Sequence, residues 1–518
     1  MPRTVLLNGH DLTRQDFADV VLGGRRIGLH PDARRAMIAS RRVVDRMIRE
    51  KQVVYAVTTG VGSLSTEHID PAQARQLQLN VVRSHCCGVG DPLSVPETRG
   101  LLLLRANTLA AGLSGIRPAV AERLCAMLNH RLHPVVPSRG SVGASGDLAP
   151  LAHVARTLIG EGELTVDPDF NSRARPHSAA GVLRRAGLRP LTLEAKEGIS
   201  LVNGTQAMLS VGLLALAQAE VLADTADVAG SLSLDALRGS PVAFDERLQR
   251  ARPHPGQIES ARNLGRLNRG STIRESHRGC GRVQDAYSLR CMPQVHGAVR
   301  DALAFARRTL EIEMNSATDN PLVFTNEGEV LSGGNFHGQP VATALDVIAI
   351  ALTQLGGISE RRTDRMVNPL TSDLPPFLAG VPGIESGLMM AQVTAAALAS
   401  ENKVLAHPAS VDSIPTSGNK EDYVSMGMGS ALKLKQVVAN TASILAIELI
   451  AATHALDRLA PLTTGTLAEQ ARLIVRRVAR PLKEDRPHAP DITGVTEQVM
   501  RGEYARVLEL TTDHGVHS

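Results

Sequence analysis

Aromatic residues are nearly absent from this sequence: of 518 residues none is Trp, four are Tyr and seven are Phe. A core without large rings must be filled by Ala, Leu, Val and Ile, which suits closely packed helices. Cysteine is also scarce, with five residues and no pair at zinc-site spacing, so we expect neither a disulfide framework nor a metal site. Each of the few Tyr residues is therefore a candidate for chemistry.

An excess of charge of one sign is missing as well. Lys and Arg number 56 against 52 Asp and Glu, without a long basic run, so we expect no nucleic-acid partner. The N-terminal residues carry acidic side chains and no basic start before an apolar run, and the longest apolar stretches are shorter than a membrane span. We therefore expect no secretory signal, no membrane partner and, given the sparse cysteines, a cytoplasmic location.

Helical periodicity dominates the chain from Gln206 onward, where long segments are rich in Ala and Leu. Such helices bury their apolar faces against each other, which predicts a mainly α fold with a long-helix bundle core over residues 206–518. Residues 1–205 mix shorter periodic segments with Gly and Pro, which indicates a smaller mixed N-terminal region that carries active-site loops. The predicted helices are 32–52, 97–112, 119–132, 206–237, 295–316, 341–365, 388–406, 423–459 and 467–480.

The most informative stretch is 140–150, Gly-Ser-Val-Gly-Ala-Ser-Gly-Asp-Leu-Ala-Pro. It is neither a phosphate-binding loop nor a hydrolase elbow, because Asp147 stands where those motifs need Lys or Gly. Ala144, Ser145 and Gly146 can cyclise if the backbone bends until the Gly146 nitrogen reaches the Ala144 carbonyl, and glycine permits that bend. Loss of two waters would then leave 4-methylidene-imidazol-5-one, an electrophile. The alternative is a Gly-rich turn without chemistry.

The segment Gly143–Pro150 resembles the signature of the aromatic amino-acid ammonia-lyases, and most closely that of their histidine-acting members. The resemblance extends from about Val5 to Leu510 over several motifs in the family's order. It implies a mainly helical homotetramer whose active sites are shared between subunits. It also implies a carbon–nitrogen lyase that acts on a small-molecule amino acid through an autocatalytically formed methylidene-imidazolone (MIO), without a metal or a dissociable cofactor.

Removal of a β-proton and of ammonia requires an electrophile, a strong base and a grip on the substrate carboxylate. By resemblance the base is Tyr55, which needs positive charge nearby to stabilise its phenolate; the alternative is a packing role. The planar guanidinium of Arg290 suits a bidentate grip on the carboxylate, although a lone Arg can also be a surface charge. The resemblance implies that Tyr287 assists with the β-proton or the electrophile and that Gln284 lines the site.

Substrate contacts are implied at four further positions. Asn203 would hold the substrate carboxylate and the imidazolone oxygen, with a helix cap before Gln206 as the alternative. Phe336 would pack beside the electrophile. His85 and Glu421 would contact the ring of the substrate: a carboxylate can bind an imidazole N–H, but it would be left unpaired opposite a phenyl ring.

Three functional hypotheses stay open. The leading one is non-oxidative deamination of L-histidine to trans-urocanate and ammonia. Departures from the family's pattern at Thr58, Val61, Lys420 and Tyr423 support the alternative of a lyase or 2,3-aminomutase that acts on tyrosine, another aromatic amino acid or a modified histidine. The third is an inactive helical scaffold, which predicts a tripeptide that never cyclises.

Overall fold

The computed structural model describes residues 4–166, 174–281 and 283–510, which form nineteen α-helices and nine short strands. The fold is mainly α, as the sequence predicts. The helices are α1 (Arg14–Val21), α2 (Pro31–Arg49), α3 (Ala74–His85), α4 (Val95–Ala110), α5 (Pro118–Asn129), α6 (Leu148–Leu158), α7 (Ala179–Arg185), α8 (Glu197–Val202), α9 (Gln206–Ala236), α10 (Glu246–Ala251), α11 (Pro255–Leu267), α12 (Thr272–Glu275), α13 (Tyr287–Arg290), α14 (Met292–Met314), α15 (Gln339–Val367), α16 (Met389–Leu405), α17 (Gly427–Asp457), α18 (Thr466–Arg476) and α19 (Ala489–Met500).

The strands pair into four small sheets. Strands β1 and β2 are parallel, β3 pairs with β5, β6 lies between β4 and β7, and β8 pairs with β9, and all pairs except the first are antiparallel. The strands are β1 (Val5–Leu7), β2 (Ile27–Leu29), β3 (Val89–Pro92), β4 (Leu132–Pro134), β5 (Pro137–Arg139), β6 (Glu163–Val166), β7 (His177–Ser178), β8 (Leu322–Phe324) and β9 (Glu329–Leu331).

Contacts between residues divide the chain into two compact units. Four of the five boundaries fall inside helices, in α9, α14, α15 and α17, and the fifth follows the end of α16. The first unit extends beyond residue 205 and also includes two later segments of the chain. The predicted domain division after residue 205 stays a prediction. As far as residues are described, the first unit comprises Met1–Leu214, Arg307–Asp346 and Pro408–Leu432, and the second comprises Ala215–Ala306, Val347–His407 and Lys433–Ser518.

Helix α4 lies at the centre of the first unit, where nearly every one of its residues is buried. Its start is fixed by a capping box: the Ser94 hydroxyl accepts from the Glu97 N–H, and the Glu97 carboxylate accepts from the Ser94 N–H at 2.7 Å. Two buried arginines extend from this helix, and the second, Arg105, contacts the segment that precedes α9. The capped helix therefore supports the candidate active site.

The second unit holds a buried charged network. Arg362 on α15 forms two hydrogen bonds with Glu448 on α17, at 2.5 and 2.8 Å, and both side chains are fully buried. A guanidinium N–H of Arg362 also lies 3.3 Å from Nε2 of His296 and 3.5 Å from the Ser288 carbonyl oxygen. Ser288 belongs to α13 and His296 to α14, so these contacts attach the short helix α13 to the bundle.

Three helices are long and apolar enough to cross a membrane on length and composition alone, although the longest uninterrupted apolar stretches of the sequence are shorter than a membrane span. They are α9, α15 and α17, with 31, 29 and 31 residues. Within their most apolar windows, 72%, 61% and 89% of the residues are buried inside the protein. Packing within the protein therefore accounts for most of their apolar surface.

Candidate active site

The tripeptide predicted to cyclise lies in a tight turn of the first unit. Gly143 and Gly146 face each other as an antiparallel bridge, with Ala144 and Ser145 at the corner. The φ angle of Ser145 is +50°, a left-handed conformation that is uncommon for a residue with a side chain and costs about 1–3 kcal/mol. Gly146 has a φ of +77°, and a Cβ atom there would lie 2.1 Å from the carbonyl oxygen of Gly204. The backbone is thus sharply bent at the tripeptide.

The turn is held by hydrogen bonds to Gly204, which precedes α9, and to Met208 in the first turn of α9. The Gly204 N–H donates to the Ser145 carbonyl at 3.1 Å, and the Asp147 N–H donates to the Gly204 carbonyl at 2.6 Å. The fully buried Asp147 carboxylate accepts from the Met208 N–H at 2.8 Å and from the Ser141 hydroxyl at 3.0 Å. Burial raises the pKa of Asp147 to about 6, although these hydrogen bonds oppose the rise. Sequence reasoning did not identify Gly204 as a contact of the tripeptide.

Glu421 is brought next to the tripeptide. The Ser145 hydroxyl donates to Oε1 of Glu421 at 3.5 Å, a long hydrogen bond, and the Thr416 hydroxyl donates to Oε2 at 2.8 Å. Thr416 and Glu421 also exchange backbone hydrogen bonds at 2.9 and 3.3 Å, which closes the loop between them. Thr416 therefore fixes the orientation of a carboxylate that the sequence had singled out.

The loop that carries Tyr55 contacts the Glu421 loop. The Gly62 N–H donates to the Tyr55 hydroxyl oxygen at 3.0 Å. A Cβ atom at Gly62 would lie 2.8 Å from the Ser417 hydroxyl, so the two loops pass close to each other. The departure Thr58 has a local role, because its hydroxyl donates to the Gln52 carbonyl at 2.8 Å. The predicted base and the predicted ring contact are thus held in neighbouring loops.

The Phe336 loop also meets the tripeptide loop. Ser425 separates them: Cβ atoms built on Gly143 and Gly338 would lie 2.0 and 2.9 Å from its hydroxyl. Phe336 is half-buried in this loop. The exposed departure Tyr423 stacks on the neighbouring His337, with ring centroids 6.3 Å apart and an interplanar angle of 17°.

His85 is the last residue of α3 and is half-buried. Its Nδ1 lies 3.1 Å from the hydroxyl of the neighbouring Ser84. The structure gives no hydrogen bond between His85 and Glu421 among the described residues, so their joint contact with a substrate ring stays a prediction.

Asn203 is buried directly before Gly204. Its NH2 group lies 3.3 Å from Oδ1 of Asp319 and 3.3 Å from the Asn320 carbonyl oxygen, and its Oδ1 finds no donor among the described residues. Asp319 in turn accepts from the Lys196 ammonium at 3.2 Å. Sequence reasoning did not identify Lys196, a single lysine without a recognisable motif.

The other predicted site residues belong to the second unit and are described with that unit alone. The guanidinium carbon of Arg290 lies 4.5 Å from the centroid of the Tyr287 ring, within cation–π distance. Tyr287 is 71% exposed in the single chain, and Gln284 is exposed as well. Gln284 lines a cavity of about 350 Å³ together with Arg365.

No group of three or more His, Cys, Asp or Glu is placed to hold a metal ion within the described part of the chain. The arrangement that the first unit does offer is a strained, bent tripeptide with a carboxylate and a phenol in adjoining loops. Such a site suits proton transfer beside a reactive backbone group.

Comparison with known proteins agrees with the family that the motifs indicate. A family model described as aromatic amino acid lyase matches residues 12–477. A histidine ammonia-lyase from Koribacter versatilis (strain Ellin345) is 56% identical over 512 residues, which cover 96% of this chain and 98% of that protein. The chain belongs to the aromatic amino acid lyases. The family resemblance predicted from the motifs is confirmed, and with it the assignment as a carbon–nitrogen lyase.

Solved structures of aromatic amino acid lyases and their relatives have the same fold. The crystal structure of histidine ammonia-lyase from Trypanosoma cruzi superposes with a TM-score of 0.89 at 41% identity, covering 98% of this chain and 95% of that one. Tyrosine aminomutase from Streptomyces globisporus superposes with a TM-score of 0.92 at 39% identity, covering 99% and 100%. The fold alone therefore does not distinguish a lyase from an aminomutase.

Proposed function

We propose that this protein is a histidine ammonia-lyase, which deaminates L-histidine without oxidation to trans-urocanate and ammonia. The relatives support this choice, because curated proteins with that name are 50–56% identical to this chain over nearly its full length. Identity at this level supports the same reaction type; the substrate requires an argument from the site itself.

The observation that carries the proposal is the Glu421 carboxylate beside Ser145. One of its oxygens lies 3.5 Å from the Ser145 hydroxyl, and the other is held by Thr416 at 2.8 Å. Cyclisation would remove the Ser145 hydroxyl as water, so Oε1 of this half-buried carboxylate would lose its donor, and the substrate would have to supply one. An imidazole N–H supplies one, whereas a phenyl ring would leave the carboxylate unpaired.

The reactive group of the proposal is MIO, formed autocatalytically from Ala144, Ser145 and Gly146. The residues fit its formation: the tripeptide is sharply bent, Ser145 is held in a left-handed conformation, and a Cβ at Gly146 would collide with the Gly204 carbonyl. The Gly204 N–H already donates to the Ser145 carbonyl at 3.1 Å. Once formed, the group supplies an electrophile that no ordinary side chain provides.

Tyr55 is the proposed base for the β-proton. The Gly62 N–H donates to its hydroxyl oxygen at 3.0 Å and holds the phenol in place. The short distance between the Tyr55 and Glu421 loops supports a common substrate for both residues. Arg290 is proposed to grip the substrate carboxylate, and its guanidinium carbon lies 4.5 Å from the centroid of the Tyr287 ring.

The remaining contacts are proposed from the family pattern and the geometry together. His85 would contact the substrate ring, Phe336 would pack beside the reactive group, and Gln284 would line the site. Asn203 would bind the backbone groups of the substrate.

The proposed assembly is a homotetramer with shared active sites in the cytoplasm. Support comes from large apolar side chains that the single chain exposes, such as Leu370 at 91%, Ile384 at 86% and Val404 at 75%. The exposed Tyr287 fits the same assembly. All five cysteines are free thiols, as a reducing compartment would keep them.

A panel of amino acids tests the proposed function. Purified protein is supplied with L-histidine, L-tyrosine or L-phenylalanine, and ammonia and the near-ultraviolet absorbance of an acrylate product are measured. We expect turnover of histidine in preference to the other two. Glu421→Gln should lower kcat/KM for histidine by at least about tenfold, because a hydrogen bond to a charged group is lost. Asp422→Asn, a change at the exposed neighbouring carboxylate, is the matched control.

Tyrosine 2,3-aminomutase activity is the second candidate. It is favoured by the superposition on tyrosine aminomutase over 99% of this chain and by the departure at Tyr423. It predicts β-tyrosine from tyrosine, without release of stoichiometric ammonia and without turnover of histidine. A protein that turns over no amino acid and shows no loss of two waters in its intact mass would contradict both enzymatic proposals.

A further inference from the structure

Three charged residues are fully buried behind Asn203. They are Lys196, Asp319 and Arg105, and the Lys196 ammonium lies 3.2 Å from the Asp319 carboxylate. Burying charges is unfavourable unless geometry and hydrogen bonds compensate for the lost hydration. Burial raises the pKa of Asp319, but attraction to Lys196 and Arg105 outweighs it, so the net pKa lies below the usual range and the carboxylate stays ionised. A buried charged cluster adds little to stability, so we look for a functional role of these three residues.

The ionised carboxylate determines how the Asn203 amide is oriented. The side of the amide that faces inward meets two acceptors, Oδ1 of Asp319 and the Asn320 carbonyl oxygen, each at 3.3 Å. An amide oxygen at that position would face two other oxygens and be repelled by both. The NH2 group must therefore point inward, and Oδ1 points the other way.

The backbone of Asn203 is held just as firmly. Arg105 donates to the Asn203 carbonyl oxygen at 2.8 Å and to the Gln206 side chain at 3.0 Å. The next residue, Gly204, donates its N–H to the Ser145 carbonyl. Backbone and side chain of Asn203 are thus both fixed next to the reactive tripeptide.

We propose that the buried Lys196–Asp319 pair positions Asn203 so that its Oδ1 atom, and not its NH2 group, meets the substrate and accepts a hydrogen bond from the α-amino group. This inference rests on the proposed function, since it concerns how an amino-acid substrate is held. Lys196 and Asp319 are positioning residues, because they act through Asn203.

Two features agree with an amino group as the donor. Oδ1 of Asn203 is buried and finds no donor among the described residues, and an unpaired buried acceptor is costly. The substrate carboxylate has only acceptors to offer, so it would be repelled by Oδ1.

Binding of two truncated ligands separates the two possible roles of Asn203. Histamine has the amine and the imidazole without the carboxylate, and 3-(imidazol-4-yl)propionate has the carboxylate without the amine. Calorimetric titration of each ligand into the purified holoenzyme needs no turnover. The variants are Asn203→Ala and Asp319→Asn. Glu313→Gln is the matched control, because Glu313 is another buried acid of this unit and its partner is Thr205 rather than Asn203.

We expect Asn203→Ala to weaken histamine binding by about tenfold or more and to change propionate binding by less than about twofold. Asp319→Asn should shift the two affinities in the same direction as Asn203→Ala, since the amide is then free to turn. Glu313→Gln should leave both affinities unchanged. Loss of propionate binding alone, equal loss of both ligands, or loss of neither in Asn203→Ala would overturn the proposal.

The melting temperature of Asp319→Asn shows whether this variant has a folding defect. A second variant, Lys196→Arg, keeps the cation and should retain most of the relative affinity for histamine and the propionate seen in the unmodified enzyme. If the unmodified enzyme binds neither imidazole ligand, the proposed substrate is wrong, and tyramine and 3-(4-hydroxyphenyl)propionate make the same comparison. The role of Asn203 is then decided independently of the identity of the ring.

Discussion

At the scale of single residues, the reactive turn depends on backbone positions that side chains occupy only with strain. Gly146 has a positive φ and no room for a Cβ atom, while Ser145 adopts a left-handed conformation although it carries a side chain. Strain of this kind persists only where the surroundings enforce it, and it concentrates at functional sites. In this protein the backbone contacts of Gly204 with Ser145, Gly146 and Asp147 hold the turn in its strained conformation.

Gly146→Ala should prevent cyclisation. The added Cβ would lie 2.1 Å from the Gly204 carbonyl oxygen, which belongs to the backbone and cannot turn aside as a side chain can. The turn would have to open, which moves the residue 146 nitrogen away from the Ala144 carbonyl. Intact mass measures the outcome: the unmodified chain should be lighter than its sequence by two waters, about 36 Da, and the variant should not.

Gly187→Ala is the matched control for this substitution. Gly187 also has a positive φ, +71°, but nothing lies within 4 Å of a Cβ built there. The control variant should lose a little stability from backbone strain alone and keep the mass loss of the unmodified chain. A Gly146→Ala protein that still lost two waters would show that the observed turn does not govern the cyclisation.

Sequence patterns identify residues whose role is local or tied to a motif, and they miss those whose role arises from long-range contacts. Ser145 and Glu421 both stand out in the sequence, yet the contact between them joins residues 276 positions apart. Lys196 gains its role only through its long-range contact with Asp319, and its own surroundings in the sequence carry no signal. Thr416 contacts Glu421 five positions away, within the same loop. The orientation of the Asn203 amide likewise follows from Asp319, 116 positions away.

At the scale of elements, periodicity predicts the long helices well and the short ones hardly at all. The predicted helix 206–237 is observed as Gln206–Ala236, and the predicted helix 423–459 as Gly427–Asp457. The later start of α17 has a physical reason, because Met426 has a φ of +56° and cannot continue a helix toward the N-terminus. Helices α8 and α13, with six and four residues, are too short for an apolar period, although both carry or precede site residues.

Helix α9 begins at a buried carboxylate, which predicts a pH dependence of stability. Asp147 accepts from the Met208 N–H in the first turn of α9, and burial raises its pKa to about 6 from an unfolded value of 3.8. The folded protein therefore binds the proton more tightly than the unfolded chain. The contribution of Asp147 to the free energy of unfolding is highest below about pH 4 and falls by about 3 kcal/mol as the pH rises to about 6.

Asp147→Asn removes this titration and keeps an acceptor for the Met208 N–H. The difference in unfolding free energy between the variant and the unmodified protein, from urea titrations at several pH values, should shift in favour of the variant from pH 4 to pH 7. Asp245→Asn is the control, because the Arg247 side chain lowers the pKa of this surface carboxyl to about 2 and its contribution is constant above pH 4. A pH-independent difference for Asp147→Asn would contradict the prediction.

At the scale of the whole molecule, the proposed catalytic residues are divided between two compact units. Tyr55, Ser145 and Glu421 belong to the first unit, and Tyr287 and Arg290 to the second. The family resemblance implies a homotetramer, and the exposed apolar side chains of the single chain agree with an assembly of subunits. Which subunit supplies which residue is a property of the assembly, and no pattern within one chain specifies it.

Mixed oligomers decide whether one active site takes residues from different subunits. Ser145→Ala removes the reactive group and Arg290→Gln removes the carboxylate grip, so each variant alone should be inactive. Consider a site that takes Ser145 from one subunit and Arg290 from another. In oligomers that contain both variants, this site is intact when the first subunit carries only Arg290→Gln and the second carries only Ser145→Ala. Random mixing makes about a quarter of the sites intact if they are shared in this way.

Co-expression of the two variants with different affinity tags, followed by sequential purification, isolates the mixed oligomers for assay. Recovery of activity in the purified mixed oligomers would support shared sites. Complete inactivity of well-formed mixed oligomers would mean that each site takes Ser145 and Arg290 from one chain. The control pair is Ser145→Ala with Tyr55→Phe. Both residues lie in the first unit, and Tyr55 is in a loop that adjoins the Glu421 loop next to Ser145. If both come from the same subunit, this pair should stay inactive in mixed oligomers even when the pair that combines Ser145 with Arg290 regains activity.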